Sequence, residues 1–430
     1  MIVGYASLGR PLWIDEFLQF ALGALPLDTA LRVIYETTEG VNHGQTGVYM
    51  LTDVLLLKLG GANLFLMRLP SLVCGALLLA SGVYFLRLKS LGFLWQALLI
   101  AAFGAQSVLM YYAGDARPYI VLVATTVAML AYYETPSSMR RTWLPRLIGA
   151  FGILVGSISH PYFLLFLPVV LLFAGWDQWH EGNLAVSRRA LVAFVNPHFV
   201  LPALVLYVCV GLVTWLKGSP DFRFDPWEPF GGDAISVVRS LTSAHFGFFV
   251  PQASYVPYIL AGLIVLLLAF PLLALVSFGG RALAAPLVLA AMGLLTTAMV
   301  TVASVVRAYW VFDRQWVVGM AFTTLGTVWL LGRLWTLANT KGSTVWRLVV
   351  LALVAVILAN ATLALTANLA SSREDLANWR AADPGVGLPS LAEVAAYDND
   401  TWVQLGNLAA QRGGPIPPEV GWYYIRPEAP

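Results

Sequence analysis

A chain of 430 residues that is 59% hydrophobic and 11% charged, with a mean hydropathy of +0.75, is excluded from the soluble globular class, where charged residues make up about 25%. It reads as an all-α polytopic membrane protein. The net charge of +2 and the lack of a basic run argue against a nucleic-acid partner, and Cys74 and Cys209, both in apolar runs, encode neither a disulfide framework nor a cysteine metal site.

In chain order, the first ten residues are too short for a signal peptide or a span. Pro11-Leu12-Trp13-Ile14-Asp15-Glu16-Phe17 then sets two adjacent carboxylates among apolar residues. Neighbouring residues on a helix do not share a face, so the pair is expected to divide its work, one acid in a cleft and the other bracing the structure. The competing reading is a helix start at the headgroups, anchored by Trp13. Residues 16–36 and 46–59 are apolar but interrupted by Asp28, Arg32, Glu36, Asp53 and Lys58, which predicts amphipathic helices along the membrane surface. Spans are predicted at 69–88, 92–112, 117–134, 147–175, 199–217, 255–279, 284–306, 315–337 and 346–367. The 147–175 stretch is interrupted at Ser159-His160-Pro161 and is too long for one crossing, so it counts as two helices and brings the total to ten. Three regions result: 1–68 with the acidic motif and surface helices, 69–367 as the helical bundle, and 368–430 as a small polar tail.

Alternating the spans puts Arg87, Lys89, Arg140, Arg141, Arg146, Arg188, Arg189, Arg281, Arg333, Lys341 and Arg347 on one side, which the positive-inside rule makes cytoplasmic. Of the 23 acidic residues only Glu134, Asp177 and Glu181 fall on that side. The candidate chemistry therefore gathers on the outer face, in four stretches. These are Asp15-Glu16; Tyr111 to Tyr119 with Asp115 and Arg117; Ser157 to Tyr162 with His160; and Arg307 to Trp316 with Arg314. Each has a bland reading: Asp115 caps the helix that Pro118 opens, Arg117 and the later arginines anchor at the interface, and His160 is a hydrogen-bonded structural residue. Together they supply a carboxylate to take a proton from a hydroxyl and arginines to stabilise a departing phosphate.

The order of these motifs resembles the GT-C glycosyltransferases, nearest the protein mannosyltransferase and aminoarabinose transferase type with its RgtA/B/C/D-like bacterial members. Leu12-Trp-Ile-Asp15-Glu16 resembles the acidic motif of the family's first outer loop, and Arg68-Leu-Pro-Ser71-Leu with Gly75 its next span. Ala113-Gly-Asp115-Ala-Arg117-Pro-Tyr119, Ser159-His160-Pro-Tyr162-Phe163 and Arg314-Gln-Trp316 resemble its later outer elements. The resemblance covers roughly residues 10–320 and implies transfer of a sugar from a polyprenyl-phosphate donor, usually with inversion. The acceptor would be a lipid, glycan or protein hydroxyl on the outer face of a bacterial cytoplasmic (inner) membrane. It makes Asp15 the base, Glu16 a support and Asp115 an assistant, with Arg117, Arg314 and Arg307 on the donor phosphate and His43, His160 and Tyr119 lining the cleft.

Two departures stand out. The family normally carries a full transmembrane helix before the acidic motif, where fourteen residues precede Asp15 here, and its His-Pro-Pro-like turn is replaced by Asn42-His43-Gly44-Gln45-Thr46-Gly47. No metal-ligand spacing appears, so no cofactor is expected to be required, although some relatives use a divalent metal. The alternatives are a lipid-linked glycan ligase or polymerase, which would lean on the outer arginines, a flippase or transporter, and a structural subunit without activity. A flippase would line a path through the bilayer with polar residues, whereas these spans are nearly free of charge.

Overall fold

The computed structural model describes residues 10–35, 46–182, 187–216, 224–249, 274, 276–278, 280–381 and 399–424. Among them every regular element is helical. The acidic segment opens α1 (Ile14–Ala24), whose first turn holds Asp15 and Glu16, where carboxylates suit the positive end of the helix dipole. Leu25 precedes Pro26 and is extended, so the surface region read as one helix over 16–36 is broken into α1 and α2 (Leu27–Tyr35). The amphipathic α2 buries Ala30, Val33 and Ile34, at the i, i+3, i+4 spacing of one face, and exposes an Asp28–Arg32 pair. The third surface helix, α3 (Val48–Gly60), packs on α1. His43 and the loop around it lie outside the described residues.

The bundle proper begins with α4 (Leu64–Leu88), capped by the Asn63 side chain on the N–H groups of Phe65 and Leu66. Next come α5 (Phe93–Ala105) and α6 (Ser107–Ala113), which meet at 83° across the extended Gln106. Then α7 (Tyr119–Glu134) runs through the middle with all sixteen residues buried. It is followed by α8 (Trp143–Ser159) and α9 (Phe163–His180), the two halves predicted around His160-Pro161. A π turn at Phe151–Val155 lets Gly152 meet α7, where a Cβ would lie 2.5 Å from the Met129 nitrogen. Beyond come α10 (Arg188–Val195), α11 (Pro197–Leu216) and α12 (Ala234–Phe246). The long pair α13 (Gly280–Val306) and α14 (Val317–Thr340) packs closely, with Gly326 against the Ala290 backbone. Small residues at such a crossing let membrane helices approach without a hydrophobic driving force.

Five helices among the described residues are long and apolar enough to cross a membrane, and the bent α5–α6 pair makes a sixth candidate. The spans predicted at 117–134, in the first half of 147–175 and at 199–217 are present as shorter apolar helices. The one predicted at 255–279 falls almost wholly outside the described residues. The last bundle helix, α15 (Thr344–Ala381), runs past the boundary read at 367. After it, α16 (Asn399–Arg412) and the single turn α17 (Pro418–Gly421) fold back onto α1.

Two polar clusters mark opposite ends of α7, whose sixteen residues rise about 24 Å at 1.5 Å each. At its C-terminal end Lys89 Nζ contacts Glu134 at 2.7 Å, Asp177 at 2.6 Å and Glu181 at 3.0 Å. The three acids assigned to the inner side thus share one cation, while Arg140 donates to the Thr135 and Phe194 carbonyls beside them. At its N-terminal end lies the acidic segment.

Candidate active site

The second outer loop is stitched to α1 at Ala116, beside the Arg117–Asp15 ion pair. Ala116 N–H donates to Glu16 Oε1 at 3.0 Å, and Gln19 Nε2 donates to the Ala116 carbonyl at 2.6 Å. Glu16 and Gln19 stand three apart, on one face of α1, so they grip both polar groups of Ala116 and fix the residues on either side of it. Those residues are Asp115 and Arg117. Pro118 disfavours the helical region for Arg117, so the chain stays in a turn until Tyr119 opens α7.

The adjacent carboxylates face different surroundings. Glu16 is fully buried and takes a two-pronged bond from Arg68 Nε at 2.9 Å and Nη2 at 2.7 Å, with Arg10 3.5 Å away. Burial pushes its carboxyl toward neutrality, but Arg68 and Arg10 outweigh that and hold it at about 2. Asp115 is also fully buried, and its Oδ1 accepts from Arg10 at 3.2 Å and from Trp13 Nε1 at 3.0 Å. Burial first, and then the charge of Glu16, push its carboxyl well above the usual range, so of the two acids Asp115 is the one that holds a proton more readily. The helix-cap reading of Asp115 is thereby overturned: α7 has no side-chain cap, because the Asp115 carboxyl is turned to Arg10 and Trp13.

Asp15 alone of these acids reaches solvent, with 22% of its side chain exposed. Its Oδ2 lies 3.1 Å from Arg117 and 3.6 Å from Arg314, which comes from the single 3₁₀ turn Asp313–Trp316 ahead of α14. Both guanidiniums are nearly buried and sit about the same distance from the faces of Trp13 and Tyr119, at 5.8–6.0 Å, while Arg314 also stacks on Phe312 at 3.9 Å. Arg117 is therefore no interface anchor. Arg307 is exposed beyond α13, where its charge acts on Tyr162, and it takes no part in the Asp15 ion pairs. His160 is buried beside Tyr119 with ring centroids 5.9 Å apart, and its Nδ1 accepts from the Tyr162 N–H. Burial and then Arg117 lower its pKa to about 3, so the ring stays neutral. The structure thus brings together Asp15, Glu16, Asp115, Arg117, Arg314, Tyr119 and His160.

Several site residues were not singled out as such from sequence. Arg68 carried a signal, a cation at the edge of the apolar run that begins at 69. Asp53, read as a polar interruption of a surface helix, is fully buried instead, with both carboxyl oxygens unbonded; burial and then Glu16 and Asp115 push its pKa well above the usual carboxylate range. Unsatisfied buried atoms gather here, namely Arg10 Nε, Arg117 Nε, Arg314 Nε, Gln19 Oε1, Asp115 Oδ2 and the two Asp53 oxygens. Among the described residues no group of three or more His, Cys, Asp or Glu side chains is arranged to hold a metal.

No protein-family profile matches the chain, and no curated protein does. Among solved structures it is similar to the crystal structure of ArnT from Cupriavidus metallidurans in the apo state. The identity is 18% and the TM-score 0.37, over 88% of this chain and 76% of that one.

Proposed function

We propose that this protein is an integral-membrane glycosyltransferase of the GT-C type, moving a sugar from a polyprenyl-phosphate donor to an acceptor hydroxyl on the non-cytoplasmic face. One observation carries the reading: of four acids gathered at the site, Asp15 alone is solvent-accessible, and it is held between two guanidiniums. Glu16, Asp53 and Asp115 are sealed in the protein. A lipid phosphate entering from the bilayer would take Arg117 and Arg314, whose donor forks suit phosphate oxygens. Asp15, freed from its partners, would accept the proton of the acceptor hydroxyl. That oxygen attacks the anomeric carbon from the face opposite the phosphate, the carbon–oxygen bond to phosphate breaks, and the lipid phosphate leaves with the charge stabilised by the arginines. Glu16, through Arg68 and Ala116, would keep both loops in register, and neutral His160 and Tyr119 would border the sugar. The wholly buried α7 carries no charged residue before Glu134, its hydroxyls being those of Tyr119, Thr125, Thr126, Tyr132 and Tyr133, which disfavours the flippase reading.

The test is transfer by the purified protein from a panel of polyprenyl-phosphate sugars, followed by release of free polyprenyl phosphate. Release that depends on an added hydroxyl acceptor is expected. A complete panel that gives no release would remove the reading.

A further inference from the structure

The N-terminus of α1 carries the proposed base, yet Trp13 at its cap position makes no side-chain bond to the first turn. The residues before the helix are held on one side by Arg68, which donates to the Arg10 and Pro11 carbonyls at 2.9 and 3.4 Å, and by Asp115, which accepts from Trp13 Nε1. Leu12, between them, is held from the far end of the chain. Leu12 N–H donates to Asn407 Oδ1 at 2.7 Å, and Asn407 Nδ2 donates to the Leu12 carbonyl at 3.3 Å. One amide thus grips both polar groups of a residue three positions before Asp15, as a neighbouring strand would.

Contacts on the other side of Asp15 continue the grip. Phe17 is fully buried against Tyr423, edge-on at 5.5 Å, and beside Trp402 at 6.3 Å, and the Tyr424 hydroxyl donates to the Leu18 carbonyl at 2.9 Å. Gly406 is where α16 crosses: a Cβ there would stand 2.6 Å from the Phe17 ring and 3.3 Å from Leu12. The segment is also tied to the start of α4, through Ala62 N–H on the Gly414 carbonyl at 2.7 Å. Gly61 permits that approach, since its φ is +66° and a Cβ would fall 2.1 Å from the Gly414 oxygen.

We infer that residues 399–424 are a clamp on the catalytic segment and that Asn407 is a positioning residue for Asp15. The catalytic half of this inference rests on the proposed function; the clamp itself does not. Arg117 and Arg314, which would hold the donor phosphate, sit on other elements, so loosening the clamp moves the base relative to the bound donor without removing the donor's ligands. A misplacement near 1 Å can cost about 100-fold in rate.

The test uses the full-length protein in lipid nanodiscs as wild type, Asn407→Ala, Asn407→Asp and Gln404→Ala, the last an exposed position on α16. Asn407→Asp keeps the acceptor and loses the donor, and so serves if Asn407→Ala folds poorly. Hydrogen exchange in peptides covering residues 10–20 is expected to quicken about fivefold in Asn407→Ala, less in Asn407→Asp and not in Gln404→Ala. Affinity for polyprenyl phosphate should not weaken while kcat falls roughly 10- to 100-fold and KM for the donor does not rise. Unchanged exchange at residues 10–20, or exchange quickened equally throughout the protein, would overturn the clamp. Local quickening with unchanged kcat would overturn the positioning role. Should the wild type turn over no donor, the exchange result still decides the clamp, and the glycosyltransferase reading is what falls.

Discussion

Asp15 and a donor phosphate compete for the same two arginines, and this sets the sign of one measurement. Replacing Asp15 by Asn removes an anion that lies 3.1 Å and 3.6 Å from Arg117 and Arg314. At an effective dielectric near 20 the gross attraction is about 5 kcal/mol for each pair. Desolvation and the 22% exposure of the carboxylate reduce that greatly, to about 1 kcal/mol for a pair near the top of the exposed range. Freed from both pairs, the arginines should bind polyprenyl phosphate more tightly by about 1–2 kcal/mol, roughly tenfold. Calorimetry of wild type and Asp15→Asn in nanodiscs at about 0.15 M ionic strength reads the difference directly. Weaker or unchanged binding in the variant would refute the competition, and with it the idea that donor binding releases the base.

Glu16→Gln should leave the buried Arg68 guanidinium without its counter-charge, a loss of about 3–5 kcal/mol, seen as failure to elute as a monodisperse species from detergent. Asp115→Asn replaces a carboxyl that burial already pushes toward its neutral form, so the folded protein should survive. Because the Asp115 pKa is raised on folding, the native state holds its proton more tightly than the unfolded chain, and the stability it confers is lost as pH rises through the raised value. Thermal scans from about pH 4 upward should therefore show a flatter decline in Asp115→Asn; an unchanged slope would contradict the raised pKa. His160, held at about 3, does not titrate near neutrality. His160→Gln should leave both limbs of the pH–rate profile in place, and a lost limb would show that the ring carries a proton in turnover.

What could be read from sequence was what local pattern determines. Apolar runs marked the helices, and the broken stretch at His160-Pro161 became α8 and α9; the counting of basic residues assigned Glu134, Asp177 and Glu181 to one side but gave no sign that they meet at Lys89. Pro26 was a legible helix stop that hydropathy alone passed over. Burial of Asp53 was not legible, because a carboxylate in an amphipathic helix ordinarily faces water and only the packing of α3 onto α1 turns it inward. The grip of Glu16 and Gln19 on Ala116 joins residues about a hundred positions apart, and that of Asn407 on Leu12 spans 395, so neither leaves a local trace. Asp115 and Arg117 had sound alternative readings, as cap and anchor, until the partners that reject those roles were in view.

The most direct measurement is a single turnover in which wild type and Asp15→Asn are first saturated with the same polyprenyl-phosphate sugar and then given an acceptor hydroxyl. Wild type should transfer the sugar with inversion and release the lipid phosphate, while the variant, with donor bound, should transfer at least about 100-fold more slowly. Equal rates from the two donor-loaded proteins would contradict the assignment of Asp15 as the base.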